Sequence, residues 1–66
     1  MIADREQCLA EIALLKRKIS ELLTVIAVAE SDGTPPSTVA WRKACLASHK
    51  TDLARAARYG IKKGWL

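Results

Sequence analysis

Apolar residues recur through the first half of the chain at alternating spacings of three and four. Ile12, Leu15, Ile19, Leu22, Ile26 and Ala29 draw the seam of a helix that packs lengthwise against another helix. Cys8 extends this line towards the N-terminus and Leu23 widens it. In the second half Val39, Leu46 and Leu53 repeat every seven residues, with Ala57 on the same side. The pattern predicts one helix over about residues 4–30 and another over about 38–59, in a single helical domain.

The punctuation fits. Asp4 followed by Gln7 has the spacing of a capping box. Ser31-Asp32-Gly33-Thr34-Pro35-Pro36 is the only linker: Gly33 can take the left-handed backbone that ends a helix, and the prolines stop its continuation. Ser37 is the expected N-cap of the second helix, giving a turn over 31–37. Ser48 to Asp52 is rich in capping residues, but the seven-residue spacing runs through it and predicts an unbroken helix. Gly60 is expected to end that helix with Ile61 folding back, leaving a tail over 60–66 in which Trp65-Leu66 packs on Met1 and Ile2 or anchors a partner.

A connection this short forces the helices to lie antiparallel. With the turn near Thr34, Val39 meets Ala29, Leu46 meets Leu22, Leu53 meets Leu15, and Cys8 lies beside Gly60. The same register puts Cys45 beside Leu23, roughly 20 Å along the axis from Cys8, so the cysteines do not pair within the chain. Free thiols suit a reducing cytoplasm.

The seam does not use up the apolar surface of the first helix. Leu14, Val25 and Val28 lie well round from it, and between Leu22 and Ala29 only Thr24 is polar. One neighbouring helix cannot cover such a surface, and a 66-residue chain has a marginal core without a staple. The expectation is a homodimer, two hairpins joined through their first helices into a four-helix bundle. Its core and dimer contact comprise Ile12, Leu15, Ile19, Leu22, Val25, Ile26, Val28, Leu46 and Leu53. No segment approaches the length needed to span a bilayer, and no secretory signal is visible.

Charge divides the chain. Residues 1–30 are nearly neutral, with Lys16, Arg17 and Lys18 forming a short basic band read as a solvated face. Residues 37–66 carry Arg42, Lys43, Lys50, Arg55, Arg58, Lys62 and Lys63 against Asp52 alone. Such an element favours nucleic acid, an anionic surface or an acidic protein. Trp41, Cys45, Ser48, Asp52 and Tyr59 share one outward arc bordered by Arg55; Trp, Tyr and Arg exposed together are the composition of interface hot spots. The candidate partner contacts are Trp41, Arg42, Arg55, Arg58, Tyr59 and Trp65, with Arg5 at the edge of the seam. Trp41 and Tyr59 can equally cover the dimer contact.

Catalysis and cofactors find little support. His49 is the only histidine and flanks the seam, no carboxylate pair faces a pocket, and two separated cysteines with one histidine have no zinc-site spacing. Asp52 to Ile61 looks like the first helix and turn of a helix-turn-helix, but only Lys62 to Leu66 follow, too few for a recognition helix. An interfacial membrane role is disfavoured because the more apolar helix is the less basic one.

Asp4-Arg5-Glu6 opening the first helix, the Ser31–Pro36 turn, and Ala57-Arg58-Tyr59-Gly60-Ile61-Lys62-Lys63-Gly64-Trp65 resemble the small helical-hairpin proteins with which bacteriophages take over their hosts, of the quorum-sensing anti-activator type. The resemblance implies a non-enzymatic dimer that inhibits a bacterial host protein by steric occlusion. The implied targets are a LuxR-type transcription regulator and a pilus-assembly ATPase. The alternatives are a small basic nucleic-acid-binding protein and a structural dimerisation module.

Overall fold

The computed structural model of the protein describes residues 4–66. Two α-helices, α1 (Arg5–Ser31) and α2 (Pro36–Lys62), pack antiparallel into a hairpin about 45 Å long. The expected architecture within one chain is therefore observed. Asp4 caps α1 as its spacing requires: the Gln7 N–H donates to Asp4 Oδ1 at 2.8 Å, satisfying one of the orphan donors of the first turn. The packing of Trp65-Leu66 against Met1 and Ile2 lies outside the described residues.

The seam on α1 is the buried one. Cys8, Leu15, Ile26 and Ala29 are buried, and Ile12, Ile19 and Leu22 half-buried, at the alternating spacing of three and four. On α2 the facing positions are Val39, Ala56 and Gly60, buried, with Leu46, Leu53 and Ala57 half-buried. Ile26, Ala29 and Val39 form the core near the turn, with Leu46 packed against them. Helix α2 runs unbroken through Ser48–Asp52; the Thr51 hydroxyl turns back to the Ala47 carbonyl at 3.0 Å rather than restarting the helix.

Two boundaries differ from expectation, each for a local reason. Ser37 is not the N-cap. Pro35 holds that place with no side-chain cap, and Pro36 occupies the first helical position, where its missing N–H costs no helical bond. The Thr38 and Val39 N–H groups close the first turn onto the Pro35 carbonyl at 3.0 and 3.2 Å. The turn thus shrinks from 31–37 to 32–35.

Gly60 does not stop α2, which runs on to Lys62, and Ile61 does not fold back but is 64% exposed. The stop belongs to Gly64, at φ 77°: the Gly64 N–H donates to the Ile61 carbonyl at 3.0 Å and the Trp65 N–H to the Gly60 carbonyl at 2.8 Å, a Schellman arrangement. Gly60 serves packing instead. A Cβ there would sit 2.8 Å from the Leu66 side chain and 2.9 Å from Cys8 Sγ, so glycine lets the two helices close where the register pairs residues 8 and 60. Cys8 is fully buried, and its thiol points to the Ala56 carbonyl across the interface at 3.6 Å.

The turn is held by Asp32. Gly33, at φ 82°, lets the Thr34 N–H reach the Ala29 carbonyl at 3.2 Å, while Asp32 Oδ1 accepts from the Thr34 hydroxyl at 2.6 Å and its N–H at 3.0 Å. The Thr34 hydroxyl first, then its N–H, holds the Asp32 carboxyl below its ordinary value of 3.8. A carboxylate with a lowered folded pKa contributes stability that is complete above its unfolded pKa and is lost as pH falls through the folded one. Thermal melts by circular dichroism should therefore show Asp32→Ala melting lower than the wild type at neutral pH. The gap should close below the folded pKa, and a gap unchanged in acid would contradict the assignment.

Candidate binding faces

Helix α1 has a stripe that continues beyond the seam on one flank, and α2 has another. Antiparallel packing decides which flanks share a side of the hairpin. An open groove of about 850 Å³ runs between the helices, lined on α1 by Gln7, Ala10, Glu11 and Leu14 and on α2 by Asp52, Arg55, Ala56 and Tyr59. Alanines at its floor, Ala10 and Ala56, leave it shallow.

Following each helix from this groove by whole turns reaches the other exposed apolar residues. Val25 lies eleven residues beyond Leu14, and Val28 eighteen beyond Ala10. On α2, Cys45 lies seven residues before Asp52, and Trp41 eighteen before Tyr59. Leu14, Val25, Val28, Trp41 and Tyr59 therefore share one side of the hairpin, all of them exposed, Val28 at 55% and Trp41 at 63%. Along this groove side Glu11, Glu21 and Asp52 balance Lys18, Arg55 and Lys63.

Aromatic contacts mark its two ends. Tyr59 and Trp65 meet edge to face with ring centroids 5.7 Å apart, and the Lys63 ammonium lies 5.6 Å from the Tyr59 ring. At the turn end the Arg42 guanidinium lies 6.0 Å from the Trp41 ring. Arg42 itself is half-buried beside the seam, as is His49, and Trp65 is half-buried by the α2 terminus.

The opposite side is identified by the Lys43–Glu30 ion pair, 3.5 Å, which bridges the helices there. From Lys43, steps of three and four along α2 give Ala47, Lys50, Ala54, Arg58 and Ile61; from Glu30, steps along α1 give Ala27, Leu23, Ser20, Lys16, Leu9 and Arg5. This basic side carries Arg5, Lys16, Lys50 and Arg58, and Glu30, its one acidic residue among those named, is already paired with Lys43.

The candidate contacts expected from the sequence are thus divided. Trp41, Arg55 and Tyr59 lie together on the groove side, whereas Arg5 and Arg58 lie on the basic side. Lys16, Leu9, Leu23, Lys50 and Ile61 form a surface only in the packed pair; in the sequence its sole trace is the three-and-four spacing from Lys43 to Ile61. Among the described residues, no cluster of three or more His, Cys, Asp or Glu could hold a metal ion, and no helix is long and apolar enough to cross a membrane.

In comparisons with known proteins, no family model, curated sequence or solved structure matched the chain.

Proposed function

We propose that the protein is a non-enzymatic homodimer that inhibits a bacterial host protein by covering its working surface. The observation that carries the dimer is the gathering of Leu14, Val25 and Val28 with Trp41 and Tyr59 on one side of the hairpin. Two such sides laid face to face make a four-helix bundle in which both helices of each copy meet the partner, rather than α1 alone.

Area supports this reading. The single chain exposes 4773 Å². A compact monomer of its mass, 7.2 kDa, exposes about 4,100 Å² by the usual scaling. The excess, about 650 Å², falls somewhat short of the roughly 800 Å² per partner of a standard interface but is of the same order. The balanced charge of the groove side favours a second copy in the same way, since each acidic residue has a basic one to meet. Dimerisation of this kind consumes Trp41 and Tyr59 and leaves the basic side of both copies open to a target, either the transcription regulator or the ATPase to which the resemblance points.

Two measurements test the proposal. Sedimentation equilibrium at micromolar concentration should give twice the chain mass; a folded species of single mass would overturn the dimer. Affinity capture from nuclease-treated bacterial lysate should retain a discrete protein whose activity falls on adding the purified chain. A second reading, nucleic-acid binding, draws on the same unbalanced cations. It requires capture to disappear with nuclease and affinity to fall log-linearly with salt.

A further inference from the structure

The basic side is not only basic. Leu9, Leu23 and Ile61 stand on it, 37%, 50% and 64% exposed, among Arg5, Lys16, Lys50 and Arg58. Phosphate backbones gain nothing from isobutyl and sec-butyl groups, and a nucleic-acid surface places its aromatics with its cations. Here Trp41 and Tyr59 are on the other side, where the cations beside their rings, Arg42 and Lys63, share the face with Glu11, Glu21 and Asp52. Between the cations, α2 presents only Ala47 and Ala54, so the row along this helix alternates short apolar side chains with positive charge.

We propose that this side docks an acidic amphipathic helix of a partner protein. Its apolar stripe would lie on Leu9, Leu23 and Ile61, and its carboxylates would meet Lys16 and Lys50, which stand on this side of α1 and α2 respectively, with Arg5 and Arg58 further along. Such recognition of an amphipathic helix uses apolar anchors for affinity and surrounding charges for orientation. From Arg5 to Leu23 the surface spans about 27 Å, the length of a helix of roughly 18 residues. The inference rests on the protein-binding reading above and names the chemistry of the segment gripped. It does not require the dimer, because the side is open in one copy or two.

The test is fluorescence anisotropy with the full-length protein and a labelled helical peptide of that length, leucine at three- and four-residue spacings flanked by glutamate. Expected is saturable binding that weakens at least about tenfold when the same residues are scrambled out of helical period. The double substitutions Lys16→Glu/Lys50→Glu and Leu23→Ser/Ile61→Ser should each weaken it by about tenfold or more. All four positions are exposed, and circular dichroism checks that the hairpin persists.

A lysine-for-glutamate version of the peptide should bind the charge-reversed variant and not the wild type, which a merely misfolded variant cannot do. Equal binding of the scrambled peptide, no binding of the designed one, or tighter binding of matched-length duplex DNA or phosphatidylserine vesicles would each overturn the proposal. If the peptide fails while lysate capture succeeds, only the helix-docking assignment falls. If capture fails while the peptide binds, the inhibitor reading falls instead.

Discussion

Replacing Gly60 with valine should destabilise the hairpin by about 2–3 kcal/mol, the upper range for forcing extra carbons into a packed interface. The position sits inside α2, where an exposed glycine would gain roughly 1 kcal/mol on becoming alanine. Here the added Cβ meets Leu66 at 2.8 Å and Cys8 Sγ at 2.9 Å. The Leu66 side chain is half exposed and can swing aside; Cys8 is fully buried and cannot. The obstacle is therefore the sulfur. Gly60→Ala alone should lose stability, but in a Cys8→Ala background the same substitution should become neutral or stabilising, as helix propensity takes over once the space is free. Chemical denaturation of the four proteins gives the coupling as a double-mutant cycle, expected at about 1–2 kcal/mol. Additive effects would mean that the helices do not close at this point.

Val25→Glu together with Val28→Glu should abolish the proposed dimer while leaving the hairpin helical. In a single chain both valines are exposed, so the new carboxylates are solvated and the fold is spared. In a dimer with a two-fold axis each substitution occurs twice, and four carboxylates would lose water without partners, at several kcal/mol per ion when uncompensated. A dissociation constant raised by at least about a thousandfold, roughly 4 kcal/mol, is the expected outcome by sedimentation. Matched substitutions on the basic side, Leu23→Ser with Ile61→Ser, should leave the mass unchanged. If the valine variants keep the wild-type mass, the groove side is not the dimer contact; if the basic-side variants lose it, the two faces have been exchanged.

These two experiments bear on the features that the sequence rendered least well. Leu14, Val25 and Val28 were legible as apolar surface beyond the seam, and Trp41 and Tyr59 as an outward arc of the second helix. They appeared as separate resources, one for a dimer and one for a partner. A helical wheel gives each residue an angle about its own axis and says nothing of the neighbour's. In an antiparallel pair the second helix turns in the opposite sense when both are viewed from the same end, so whether two flanks coincide depends on the packed arrangement. The same limit hid the basic side. Lys16 belonged to a band on the first helix and Lys50 to the charge of the second, and only packing brings them to one side.

Gly60 shows the limit at a single residue. Near the end of an apolar repeat, glycine reads as a stop, and nothing local distinguishes it from Gly64, which holds that role at φ 77°. The distinction lies in what is opposite, a buried thiol in one case and open space in the other. The register from the short linker places Cys8 beside Gly60, but how closely the two helices approach there is a property of the packed pair.

Two helices, their antiparallel course and their register follow from the sequence alone, because each depends on spacing along one chain: the three-and-four seam from Cys8 to Ala29, the seven-residue repeat from Val39 to Leu53, and a linker too short for any other path. Which flanks merge into an apolar side and a cationic one, and which glycine ends α2, were decided only by the tertiary structure. Those outcomes depend on side chains distant in sequence competing for the same space, and no periodicity within one helix records that competition.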